Sequence, residues 1–177
     1  MKLIGTGFAA ACLAAFVGAA GTYTTSGDDE TNFPEFESTM TSIGSDYQWK
    51  SVQVTTADGY ILNMFRIMAD ENGDFTDDRG SLGPILLVHG LTADARTWVD
   101  NDQDPGADSF PVQLFDLGYD VYFANHRGSI FSRGHTTLDV TDPADQQAYW
   151  DWERKELAEL DLPAMLSEVV TDSNTCK

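Results

Sequence analysis

Residues 83–91 read Gly83-Pro84-Ile85-Leu86-Leu87-Val88-His89-Gly90-Leu91. The aliphatic run from Ile85 to Val88 is unbroken, short and bounded by turn residues, the pattern of a strand buried on both faces. A sheet covered on both sides is mostly parallel, and its covers are helices. The expected fold class is therefore α/β.

The neighbouring segments fit this reading. Upstream, Val52 and Val54 alternate with polar residues, Asp58-Gly59 supplies a tight turn, and Tyr60 to Ile67 forms a return strand, which together predict a β-hairpin. Asp70 to Gly83, rich in Asp and Gly, reads as an exposed loop. Downstream, Asp108 or Ser109 caps a helix with Phe110, Leu114 and Phe115 on its apolar face, and Gly118 ends it. Tyr119 to Ala124 reads as the next strand, which completes a strand-helix-strand crossover. Asp142-Pro143 opens a longer helix carrying Tyr149, Trp150, Trp152 and Leu157, and Asp161-Leu162-Pro163 restarts a helix towards Val170.

Composition narrows the function. The 177 residues are 42% hydrophobic, enough for a real core. Acidic residues outnumber basic ones 29 to 10, for a formal charge of -19, so nucleic acid is excluded as a partner and anionic lipid surfaces are repelled at long range. Lys2, the uncharged run to Ala20 and the small residues Gly18, Ala19 and Ala20 make residues 1–20 a signal peptide, the alternative being an uncleaved anchor. Residues 21–46, polar and acidic with Phe33, Phe36 and Met40 as the only anchors, read as a mobile lead-in, and residues 47–177 as the domain. Cys12 leaves with the signal, so Cys176 is the only thiol of the mature chain. The expected location is secreted or lysosomal.

Six blocks in order make the pattern specific: Val54-Thr-Thr-Ala-Asp-Gly-Tyr-Ile-Leu62, His89-Gly90-Leu91, Trp98-Val99-Asp100-Asn101, Leu117-Gly-Tyr-Asp-Val121, Asn125-His-Arg-Gly128 with Ser132-Arg133-Gly134-His135, and Asp161-Leu-Pro-Ala164. From about Tyr47 to about Val170 the chain resembles the acid lipases, the group that contains gastric and lysosomal acid lipases. There are departures: Gly44-Ser45-Asp46-Tyr47 replaces a Gly-Tyr-Pro, and Ala124, Ser129 and Leu160 stand at positions where the family pattern differs. The resemblance implies the N-terminal part of an α/β-hydrolase, a β-hairpin followed by strand-helix-strand of a mostly parallel sheet, incomplete here. It also implies hydrolysis of triacylglycerols or steryl esters by a Ser-His-Asp mechanism, with no metal or organic cofactor. The implied partners are a neutral lipid ester and, transiently, a lipid interface. The rival reading is a short, non-catalytic lipid-binding or interaction protein.

By position in the motif, the backbone N–H of Leu91 is one oxyanion-hole donor, with His89 and Gly90 shaping the turn. None of His89, His126 and His135 fits the catalytic base, which comes late in chain order in this fold. No Gly-x-Ser-x-Gly occurs, so no catalytic residue is expected within the chain; nucleophile, acid and base are expected after Lys177. Asn125, Arg127, Arg133 and His135 are expected to be architectural, Arg127 by binding carbonyls or a carboxylate. Trp98, Trp150 and Trp152 either line an acyl-binding surface or, the favoured reading, pack against the sheet.

Overall fold

The computed structural model describes residues 33–43, 47–68, 80–100 and 109–173. The signal segment, Cys12, Cys176 and most of the Asp-rich loop before Gly80 lie outside them. The hairpin forms as expected: β1 (Gln48–Thr55) pairs antiparallel with β2 (Tyr60–Met68), and Gly59 closes the turn at φ +100°. That backbone region suits glycine because no Cβ meets the carbonyl. β3 (Pro84–Leu87) pairs parallel with β4 (Asp120–Phe123), joined through α2 (Phe110–Asp116). The strand order is β1-β2-β4-β3, with β2 and β4 antiparallel and the two-residue β5 (Gly134–His135) added to β2. The fold is thus a mixed sheet of α/β-hydrolase type whose parallel part is β3 and β4.

Strand side chains alternate faces, so each strand feeds two cores. Phe65 and Ile67 of β2, with Val121 and Phe123 of β4, face one core; Leu62 and Met64, with Tyr122 and Ala124, face the other. The second core is closed by Tyr149 and by Met165 and Val169 of α5 (Leu162–Asp172). The end of α5 is held by charge: Arg66 binds Asp120 at 2.8 Å and Asp172 at 3.0 Å, and Lys50 reaches Asp172 at 2.7 Å.

Three expectations need correction. Part of the lead-in is a helix, α1 (Pro34–Ile43), whose Phe36, Thr39, Met40 and Ile43 form a buried stripe at helical spacing. Phe36 stacks on Phe65 at 3.9 Å and is fully enclosed, so it contributes about 1.5–3 kcal/mol of burial. Second, of the expected apolar face of α2, Phe115 is buried and Leu114 packs on the first core, but Phe110 is 54% exposed, and Pro111 and Val112 are buried in its place. Third, the helix expected from Asp142 breaks in two, α3 (Gln146–Tyr149) and α4 (Arg154–Glu156). The break has a local cause: Glu153 and Glu156 form a reciprocal capping box that starts a new helix. α4 runs through a π-helical turn (Leu157–Asp161) into α5.

Candidate active site

The two parallel strands end on the same side of the sheet, the place where open α/β sheets bind ligands. The chain leaves β3 as Val88-His89-Gly90-Leu91 and leaves β4 as Ala124-Asn125-His126-Arg127-Gly128. These two loops and residues Trp150 to Leu157 enclose a cleft of about 480 Å³, large enough for a small ligand.

The first loop is a tight turn. Ala93 donates its N–H to the Gly90 carbonyl at 3.2 Å, and Thr92 has φ +66°, alone among the described non-glycine residues in having a positive φ. A left-handed third residue after a second residue with negative φ defines a type II turn, in which Leu91 and Thr92 are the central pair. Thr is β-branched and ill suited to that region, so the conformation is strained. Its anchors are visible: Asp94 caps the 3-10 helix Ala95–Trp98, its carboxylate held by Arg96 at 2.8 and 2.9 Å. Ala95 then donates its N–H to the side chain of buried Asn125 at 3.0 Å, tying the end of the first loop to the start of the second.

His89 makes a second tie. Its Nε2 accepts the backbone N–H of His126 at 3.2 Å, which leaves the ring proton on Nδ1, donated to the Gly90 carbonyl at 2.8 Å. Burial holds the His89 pKa below the usual 6.5, and the neighbouring His126 pushes the same way. The Gly90 carbonyl thus faces His89. In a trans peptide the N–H points the other way, and the Leu91 N–H has no hydrogen-bond partner among the described residues. Gly90 itself has no positive φ, and a Cβ there meets nothing within 4 Å.

The second loop is built on Arg127, whose side chain is fully buried. Its guanidinium binds Asp161 at 2.7 Å and Asp58 at 2.7 and 3.0 Å, and lies over the Tyr60 ring at 3.9 Å. Asp161 also accepts the Arg127 backbone N–H at 3.0 Å. Arg127 therefore joins the hairpin turn, the β4 loop and the start of α5, an architectural role as expected. Asn125 is likewise structural, binding the Asn63 carbonyl at 2.9 Å, and His135 braces the hairpin turn through the Asp58 carbonyl at 3.1 Å. Arg133 is exposed.

The tryptophans divide. Trp98 packs against the first core, as the favoured reading had it. Trp152 packs against the second core, as favoured, and also lines the cleft, where it is joined by Trp150, 45% exposed, with Leu91, Ile130 and Leu157. Gly128 makes room for them: at φ +77°, a Cβ there would stand 2.6 Å from Trp150 and 2.9 Å from Trp152. Sequence spacing offered this wall only as the less favoured alternative, because it assumed one continuous helix. Among the described residues no group of three His, Cys, Asp or Glu side chains is arranged to hold a metal ion, and no helix is long and apolar enough to cross a membrane.

Residues 41–102 match the model of the partial α/β-hydrolase lipase region. The chain is 39% identical to triacylglycerol lipase 2 of Arabidopsis thaliana over 123 residues, 70% of this chain and 28% of that protein. It is 34% identical to lysosomal acid lipase/cholesteryl ester hydrolase of Rattus norvegicus over 139 residues, covering 77% and 33% of the two chains. With human lipase member K the identity is 34% over 165 residues, 92% of this chain and 38% of that one. The chain thus spans about a third of the length of these relatives. Sheet and cleft define an α/β-hydrolase architecture. Within that class, the chain is similar to the N-terminal part of acid lipases.

Proposed function

We propose that this chain supplies the N-terminal, ester-polarising part of a lipid ester hydrolase acting by a Ser-His-Asp mechanism. The observation that carries the reading is the Leu91 N–H, unpartnered among the described residues, just beyond a parallel strand and turned away from the carbonyl that His89 holds. A donor fixed before the reaction stabilises the oxyanion without reorganising, which is the largest contribution in acyl transfer. Gly90 supports the reading, because neither its backbone angle nor its neighbours demand glycine; open room for an approaching ester does. The apolar wall of Leu91, Ile130, Trp150, Trp152 and Leu157 suits an acyl chain, and hence neutral lipid esters.

The sequence holds no Gly-x-Ser-x-Gly, so the nucleophile, with its acid and base, belongs to residues after Lys177. The leader at residues 1–20 and the named relatives support export to the lysosome or outside the cell. A second reading, a non-catalytic lipid-binding protein, is favoured by one observation: the cleft is formed without any serine motif in the chain. Reading the coding sequence beyond codon 177 separates them. An in-frame strand followed by Gly-x-Ser-x-Gly supports the hydrolase; a stop codon supports the lipid-binding protein.

A further inference from the structure

The ring of His126 lines the cleft and is held there, with only 16% of its side chain exposed. Its backbone N–H is bound by His89, whose ring packs edge-on against it with centroids 5.0 Å apart. Nδ1 of His126 is enclosed and lies 3.8 Å from Oδ2 of buried Asp161, too far for a hydrogen bond but near enough for the carboxylate to choose the tautomer. In one neutral form a nitrogen lone pair would face that carboxylate, and in the other an N–H does. The proton therefore belongs on Nδ1 and the lone pair on Nε2. Nε2 is not enclosed and has no partner among the described residues, so its lone pair opens on the cleft.

Neighbouring polar groups are occupied or out of reach. The Gly90 carbonyl takes the His89 Nδ1–H at 2.8 Å and the Ala93 N–H at 3.2 Å, the Asp94 carboxylate takes Arg96, and the His126 carbonyl takes the Ser129 N–H at 3.1 Å. Ser129 Oγ and Trp152 Nε1 are enclosed, and the Arg154 side chain is exposed to solvent. We infer that His126 is a specificity-determining residue, and that the cleft prefers an acyl ester carrying a free hydroxyl group, a partial acylglycerol, to a fully esterified neutral lipid. This rests on the acyl-chain reading of the cleft above and adds which ester enters it. A fully esterified lipid has acceptors only, so it would cover Nε2 and leave it unpaired, which is unfavourable. A hydroxyl donor gives the fixed lone pair its partner.

The test titrates the full chain at pH 8, where an ordinary imidazole is uncharged, with glyceryl monodecanoate and with its di-O-methyl ether, each below its micelle concentration. Emission of Trp150 and Trp152, which line the cleft, reports binding. The two ligands share acyl chain, ester and every acceptor oxygen, and only the first has hydroxyl protons. It is expected to bind about five-fold more tightly, the equivalent of about 1 kcal/mol. His126→Phe should weaken the monoglyceride to the level of the ether and leave the ether unchanged; His126→Gln, which keeps a side-chain acceptor, should restore part of the difference. Equal binding of both ligands to the unaltered chain overturns the assignment and leaves the acyl cleft standing. The assignment also falls if His126→Phe weakens both ligands alike, the result of a merely structural ring. Binding of neither ligand overturns the acyl cleft as well. These outcomes are distinct from failure of the hydrolase reading, which the coding sequence decides.

Discussion

The guanidinium of Arg127 and the carboxylate of Asp161 meet at 2.7 Å with both side chains fully enclosed, and the same carboxylate takes the Arg127 backbone N–H at 3.0 Å. Removing one partner of a buried pair strands the other charge and costs about 3–5 kcal/mol. Asp161→Ala should therefore destabilise the chain on that order, although Asp58 keeps part of the Arg127 charge compensated. Asp58→Ala should cost less, because its side chain is 35% exposed. Urea titration of both variants checks the order; equal losses would contradict it.

Gly128 should not tolerate alanine. Its φ of +77° and the 2.6 Å approach to Trp150 make both backbone and packing unfavourable. A loss of about 1–3 kcal/mol is expected from overpacking, accompanied by a shift in tryptophan emission as the cleft wall moves. An unchanged melting temperature and an unchanged spectrum would show that the wall is not seated on Gly128.

The two loops should also come apart in acid. Burial lowers the pKa of His89 in the folded chain below its unfolded value near 6.5. Between those values the unfolded state binds more protons, so the His89 contribution is complete above pH 6.5 and is lost as pH falls through the folded value. Protonation takes away the Nε2 acceptor used by the His126 N–H. His89→Gln, which keeps an acceptor but cannot protonate, should flatten that part of the melting-temperature profile below pH 6.5. Identical acid limbs in both proteins would remove His89 from the account.

Much of this was legible in sequence. Alternation and the Asp58-Gly59 turn define the hairpin, and the run Ile85 to Val88 defines the parallel strand because local pattern and burial agree there. Helix α1 was not legible, since its Phe36, Met40 and Ile43 stripe is stabilised by Phe65 and other distant residues, while local composition suggests a loop. The cleft wall was only the less favoured reading of Trp150 and Trp152, because the Glu153–Glu156 capping box breaks a helix that aromatic spacing suggests is continuous. The left-handed Thr92 has no sequence signal: the residue type argues against the conformation, and only the anchors on either side impose it.

The 177-residue chain should show no serine-hydrolase activity. On the proposed reading nucleophile, acid and base all lie outside these residues, and loss of the nucleophile alone costs on the order of 10⁶ in turnover. Incubation with a fluorophosphonate probe and with a short-chain chromogenic ester is expected to give neither labelling nor turnover above buffer. Stoichiometric labelling of one serine, abolished by denaturation and matched by ester turnover, would show that a nucleophile lies within these residues.

The Leu91 N–H is the proposed oxyanion donor. Leu91 occupies the second position of a type II turn, where proline is well accommodated, so Leu91→Pro deletes the N–H while preserving the turn. The measurement is ester turnover by this segment joined in frame to the remainder of Arabidopsis triacylglycerol lipase 2, with Leu91, Leu91→Ala and Leu91→Pro compared in folded protein. Leu91→Ala should retain most activity, and Leu91→Pro should lose about 10²–10³ in turnover, the worth of one oxyanion donor. Equal and mild effects of the two substitutions would contradict the assignment.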